Sequence, residues 1–218
     1  MPEDAALPTA TSEGGEDASA AAAPPRKRPK PGERRLQILQ TLAAMLEQPG
    51  AERVTTAALA GRLQVSEAAL YRHFASKAQM FEGLIEFIEQ SVFQLVGAIT
   101  AEEGVGGTQQ ARSILTVLLQ FGEKNPGMVR VMVGDALVLE HERLQGRMNQ
   151  FFDRIESSLR QCLRPALADD GAATPTVDAN VQASVLTAFA IGRLQRFARS
   201  GFRRLPTEQL EASLQRLL

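Results

Sequence analysis

The chain of 218 residues has one cysteine, no tryptophan, one tyrosine and two histidines. A single thiol, Cys162, excludes a disulfide framework within the chain and any paired-cysteine metal cluster. His73 and His141 leave too little material for a zinc site. No run of about 18 uninterrupted apolar residues occurs, so no segment reads as a membrane span. Strand signals are missing too, because no stretch sustains apolar–polar alternation with β-branched enrichment. The glycine-rich residues 104–107 follow no strand and so make no phosphate loop. His141 sits between Glu140 and Glu142 on what reads as a surface helix, and no nucleophile–base–acid set suggests itself. The sequence therefore offers no enzyme, no metal site and no cofactor.

What is present is a balanced but segregated set of charges. The 24 Lys and Arg nearly cancel the 25 Asp and Glu, for a net −1. In residues 1–32 the acids Glu3, Asp4, Glu13, Glu16 and Asp17 come first, and the bases Arg26, Lys27, Arg28 and Lys30 come last. Six of the eleven prolines also fall there, so the segment is expected to be a disordered tail, unable to bury enough apolar surface to offset its ordering entropy. It lacks the apolar core of a secretory signal. Its basic end, continued by Arg34 and Arg35, is either a solvated linker or a phosphate-seeking arm.

From Glu33 onward the apolar spacing is helical. Helices are expected over 33–48, stopped by Pro49-Gly50, and then over 56–63 and 67–74. Ser76 caps the next, to about Thr100, with Gln79 at the capping-box position. Thr108 is expected to cap a helix ending at Lys124, and another is expected over 128–140. In 142–164 the residues Leu144, Met148, Phe151, Ile155, Leu159 and Cys162 form a seam close to a 3.5-residue period, either a core helix or a short coiled coil. Residues 165–176 read as a loop, and 178–200 and 207–217 as the last helices. The fold class is all-α, about nine helices. Cys162, on an apolar helix face, reads as a buried, inert thiol.

Residues 55–74 carry the functional signal. Thr55 or Thr56 can cap a two-turn helix, Ser66 a second, and Glu67 suits the positive end of that second helix. Leu59, Leu63, Val65, Leu70 and Phe74 face inward across a tight turn, which makes a helix-turn-helix. The second helix of such a unit fits the major groove of B-DNA. Ala68 and Ala69 are small enough for close approach to base edges, and Thr55, Thr56 and Lys77 can meet phosphates. Tyr71, Arg72 and His73 form a polar cluster beside them. Gln64 occupies the turn position often given to glycine, at a cost of about 1 kcal/mol if its φ is positive.

The run VSEAALYRHF at 65–74, followed by Ser76-Lys77, resembles the DNA-binding domain of the TetR superfamily. The segments FEGLIEFIE at 81–89, FGEKNPG at 121–127 and RLQGRMNQFF at 143–152 are similar to the nucleoid-occlusion branch of that superfamily. The resemblance implies a reader domain at 33–92 and a helical dimerisation and partner-binding domain at 93–218. It further implies a cytoplasmic, nucleoid-associated homodimer that binds palindromic chromosomal DNA and inhibits ring assembly by the tubulin-like protein FtsZ. The FtsZ tail would lie in a groove lined by Phe87, Leu95, Val117, Lys124 and Asn125, with the Asn125 N–H offered to a carboxylate. Leu95 and Lys124 stand where the family is expected to carry arginine, and lysine lacks arginine's planar fork.

Helix 178–200 is apolar or small on two faces. Leu186, Ala190, Leu194 and Phe197 suit a core, while Val185, Phe189 and Gly192 suit the dimer seam of the family. Arg193, Arg196, Arg199, Arg203 and Arg204 read as a solvated face. The competing functional class is a ligand-responsive TetR-type repressor, which needs a roomy apolar cavity.

Overall fold

The computed structural model describes residues 32–48 and 54–218, so residues 1–31 of the expected tail at 1–32 and the Pro49-Gly50 stop lie outside the described residues. Nine α-helices follow in order among those residues: α1 (Glu33–Leu46), α2 (Thr56–Leu63), α3 (Glu67–Tyr71), α4 (Lys77–Thr100), α5 (Gly107–Lys124), α6 (Pro126–Met132), α7 (Glu142–Asp169), α8 (Pro175–Arg199) and α9 (Leu210–Leu217). A 3₁₀ turn, Asp135–Leu137, lies between α6 and α7.

Apolar residues at three- and four-residue spacing give each long helix a buried stripe. In α1 that stripe is Ile38, Leu42 and Leu46. It packs against α2, α4 and α6. The approach to α4 is close because Gly83 has no side chain: a Cβ there would come within 3.1 Å of Leu39 and 3.4 Å of the Phe74 ring. The first half of α4 therefore belongs to the reader, and its second half, through Val92 and Val96, to the core of the C-terminal part. There α5, α7 and α8 pack together, and Ile114, Leu118, Ile155, Leu159, Leu186 and Leu194 are excluded from solvent. Three ion pairs pin α4 to the segment opening α7: Lys77 with Glu140, Arg143 with Glu82 at 2.8 Å, and Arg147 with Glu89 at 2.6 Å. The last is a fork, with Arg147 Nε also donating to Glu89 Oε1 at 3.2 Å, and these bonds raise the already high pKa of the guanidinium.

Several element boundaries differ from the sequence reading, each for a visible reason. The expected helix at 128–140 breaks at Gly134, whose φ of 86° leaves the helical region and starts the 3₁₀ turn. The helix begun at Glu142 does not stop before Pro165 but runs through it to Asp169. Proline removes one backbone hydrogen bond, yet Cys162 and Leu163 just before it are buried, and Leu167 just after it packs on the core. Tertiary packing on α8 thus overrides the local signal, and the expected loop at 165–176 shrinks to 170–174.

Thr108 does not cap α5. The helix opens two residues earlier, with Gly106 at the N-cap, and the backbone of Gly107 lies against α7, where a Cβ would come within 1.9 Å of the Cys162 carbonyl oxygen. Gln79 accepts from Ala75 N–H at 2.8 Å, one residue before the Ser76 cap. The seam of α7 from Leu144 to Cys162 faces the protein's own interior, so it is a core stripe. Arg193 is no solvated side chain: it donates to Glu208 O at 2.5 Å and Ser213 Oγ at 2.7 Å, tying α8 to α9. No helix among the described residues is long and apolar enough to cross a membrane.

Candidate functional site

Local chemistry builds the helix-turn-helix. Thr55 Oγ accepts from Ala58 N–H at 3.1 Å and Ser66 Oγ from Ala69 N–H at 3.3 Å, so both helices are capped as the residue types require. Gln64 takes the left-handed conformation, φ 55°, between them. The strain is offset by two turn bonds, Gln64 N–H to Gly61 O at 3.1 Å and Val65 N–H to Ala60 O at 3.0 Å. Leu59, Leu70 and Phe74 are buried beneath the turn, with Leu63 and Val65 partly covered.

Above that base, Thr55, Glu67, Ala68, Tyr71, Arg72 and His73 are exposed, with Thr56 and Ala69 half-buried. Thr56 Oγ1 donates to Glu67 Oε2 at 2.6 Å, so the openings of α2 and α3 meet. Glu67 therefore does more than suit a helix end: it locks the two helices of the reader to one another. The sequence reading expected α3 to reach Phe74, but regular helix ends at Tyr71, and His73 and Phe74 follow in a turn whose N–H groups both reach Leu70 O.

One contributor was foreseen only as the continuation of the basic run. Arg35 reaches from the start of α1, donating to His73 O at 3.0 Å while its guanidinium stands 4.1 Å over the Phe74 ring. The start of the described chain is thereby held beside the end of the reading helix. Lys77 carries less free charge than expected, because its ammonium pairs with Glu140 and stands 5.7 Å over the Phe81 ring.

The second expected site lies along α4 and α5, adjacent helices joined by a short link. Phe87 is 40% and Leu95 46% exposed, and at eight residues' separation they share one face of α4, with Ser91 between them. Neither is a core residue. Val117 is half-buried, and Lys124 is exposed at the end of α5. The expected role of the Asn125 main chain is corrected: its N–H is already used, donating to Gly122 O at 3.1 Å, and its side chain donates to Phe121 O at 2.8 Å. Of the polar groups expected there, the Lys124 ammonium is the one left exposed.

Helix α8 carries an exposed apolar stripe opposite its core face. Val177, Val181 and Val185 are 57, 60 and 48% exposed and repeat every four residues, while Leu186, Ala190 and Leu194 are buried. Phe189 and Gly192 are half-buried, and the Phe189 ring sits under the Arg193 guanidinium at 4.9 Å. Val177 and Val181 extend the apolar stripe beyond the residues that sequence reasoning named.

Known proteins of the same build are recognisable at two levels. Backbone comparison finds the fatty acid degradation regulator FadR from Bacillus halodurans, with a TM-score of 0.68 over 85% of this chain and 95% of that one, at 13% identity. It also finds a TetR-family transcriptional regulator, PfmR, from Thermus thermophilus, with a TM-score of 0.66 over 84% and 94% of the two chains, at 18% identity. At such identities the likeness speaks for the fold alone. Sequence comparison reaches further. A protein of Idiomarina loihiensis named nucleoid occlusion factor SlmA is 51% identical over 182 residues, 84% of this chain and 92% of that protein. Residues 38–84 match the family described as bacterial regulatory proteins, tetR family. Residues 108–218 match the SlmA-like, tetracyclin repressor-like C-terminal domain. With the capped reader and the helical second half each matched in its own right, the chain belongs to the tetR family of bacterial regulatory proteins, in the group that carries the SlmA-like C-terminal domain.

Proposed function

We propose that this protein is a DNA-binding nucleoid-occlusion factor. As a homodimer it grips palindromic chromosomal sites through α2 and α3, and it holds FtsZ in the α4–α5 groove to block ring assembly over the nucleoid. The observation that carries this reading is the 51% identity to a protein of that name across reader and C-terminal half alike.

The geometry supports each step. The capped, exposed openings of α2 and α3 offer backbone N–H groups and hydroxyls to phosphate, while Ala68, Ala69 and Tyr71 face the bases. Pairing two chains through the valine stripe of α8 removes an apolar strip from water. The two-fold axis then sets two readers roughly 34–36 Å apart, one turn of the duplex. Phe87 and Leu95 supply apolar anchors for a peptide, with Lys124 to meet its acidic groups. The location implied is the nucleoid, in the cytoplasm.

Pull-down of purified FtsZ by the protein, with and without chromosomal DNA fragments, tests the reading. Capture that DNA strengthens supports it, and no capture in either condition removes the division role. A second reading, a ligand-responsive repressor, draws on a cavity of about 630 Å³ between the start of α5 and the end of α7, lined by Thr108, Gln110, Gln161 and Cys162 among others. Release from DNA by a small metabolite, with no effect of FtsZ, is the outcome that would favour it.

A further inference from the structure

Val138 and Leu139 are 76% and 68% exposed, the highest values among the exposed large hydrophobic residues of the described chain. They follow the 3₁₀ turn and precede Glu140, whose pairing with Lys77 fixes the segment in place. A chain held rigidly with two bare aliphatic side chains in water exposes an apolar patch that a free monomer would gain by covering. With Arg130 and Asp135 they line a cavity of about 410 Å³.

Arg130, which shares the cavity with the pair, links it to further cations. The Arg130 guanidinium stands 5.3 Å over the Phe202 ring, and its buried Nε finds no acceptor among the described residues. Phe202 opens a turn whose shape is set by Ser200, with Ser200 Oγ accepting from Arg203 N–H at 3.1 Å and from Arg204 N–H at 2.9 Å. The turn displays Arg203, Arg204 and the 46%-exposed Leu205. Two residues on, Thr207 bonds Glu123, which places the turn beside Lys124 at the end of the α4–α5 groove. Of the carboxylates on these segments, Glu123 is engaged by Thr207 and Glu140 by Lys77, which leaves Asp135 and Glu208 against Lys124, Arg130, Arg203 and Arg204.

We infer that Arg130, Val138, Leu139 and the Arg203–Arg204–Leu205 turn form a second docking surface for an acidic peptide segment bearing apolar side chains, continuous with the Lys124 end of the groove. The charge selects an acidic occupant. The aliphatic pair selects a peptide over a nucleic acid, because phosphates use the arginines but give Val138 and Leu139 nothing to pack on. The inference rests on the groove being a partner's seat and extends it.

The test is fluorescence anisotropy with a labelled peptide comprising the FtsZ C-terminal tail and its preceding linker, on the full chain. A chromosomal palindrome bound by the parent protein serves as duplex control. Arg203→Glu with Arg204→Glu, and separately Val138→Ser with Leu139→Ser, change exposed side chains; the first pair gives up the Arg203 Nε bond to Ser200 O at 2.9 Å but keeps the two N–H bonds to Ser200 Oγ that shape the turn. Each pair is expected to weaken peptide binding by about tenfold with duplex affinity unchanged. If Phe87→Ala abolishes peptide binding while both pairs bind like the parent, the groove stands and the second surface is refuted. If Phe87→Ala changes nothing, the groove reading itself falls, and the extension with it. A fall in duplex affinity matching the fall in peptide affinity would make the turn a phosphate contact and would also overturn the inference.

Discussion

Gly127 in α6 lies directly against the Ala43 carbonyl of α1, so close that a Cβ built on Gly127 would stand 2.0 Å from that oxygen. The reader and the C-terminal half meet there backbone to backbone. Gly127 also follows Lys124 and Asn125 by two or three residues, which puts the end of the proposed partner groove one short helix from the base of the reader. Gly127→Ala must push α1 and α6 apart, and overpacking of this kind costs typically about 1–3 kcal/mol. The expected result is a lowered urea midpoint with weakened DNA and FtsZ binding together. A variant with parent-like stability and both activities intact would show that the junction yields without cost.

The reader's caps invite separation of stability from recognition. Thr55→Ala orphans the Ala58 N–H and is expected to cost about 1 kcal/mol, as N-cap losses do. It also removes a hydroxyl from the DNA face, so DNA affinity should fall. Tyr71→Ala changes a side chain that is 44% exposed and should leave the melting temperature unmoved while weakening the same complex. Gel-shift titration beside thermal unfolding checks both. Full affinity in either variant would remove that residue from the contact surface.

The reader was legible in the sequence because its signals are local. Caps at Thr55 and Ser66, the apolar pairs Leu59–Leu63 and Leu70–Phe74 and the costly Gln64 all act within a few residues of themselves, and all fell where expected. What escaped depends on partners distant in sequence. Pro165 reads as a stop until α8 is present to hold the helix through it. Gly107 reads as part of a loop until the Cys162 carbonyl occupies the space of its missing side chain. Arg35 reads only as the end of the basic run, and its structural role appears when folding brings His73, 38 residues on, and Phe74 within reach. The Asn125 N–H is the local exception: its acceptor, Gly122 O, is only three residues back, in the bond that closes the end of α5.

Cys162 gives a pH prediction with a definite sign. It is 5% exposed, and burial pushes its thiol up from the ordinary value of 9.0 because the thiolate would lose its hydration. The unfolded chain ionises near the ordinary value and the folded chain above it. The thiol's contribution to stability is therefore complete below pH 9.0 and is lost as pH rises beyond it. Urea midpoints should fall more steeply for the parent than for Cys162→Ala above that pH, by at most about 1.4 kcal/mol per pH unit. Comparing the two proteins cancels every pH effect that they share. Parallel curves would mean that the thiolate reaches water without unfolding.

Leu95 offers a gain-of-function test of the groove. Phe87 and Leu95 share an exposed face of α4, and Lys124 stands free at the end of α5. Phe87→Ala removes the larger anchor from a position that is 40% exposed, so it should cost little stability while reducing FtsZ binding by about tenfold or more, the scale of an interface hot spot. Leu95→Arg restores the residue type expected at this position in the family. If an acidic peptide passes along this face, the new guanidinium should tighten binding and steepen its salt dependence, because a carboxylate then gains a forked partner. Lys124→Arg should act in the same direction. Paired measurements at low and high salt separate these effects, since Phe87→Ala removes apolar contact and should lower affinity equally at both. If Leu95→Arg leaves FtsZ affinity unchanged at low salt while Phe87→Ala abolishes it, the peptide crosses Phe87 without following the stripe to Leu95, and the groove must be redrawn around the Lys124 end alone.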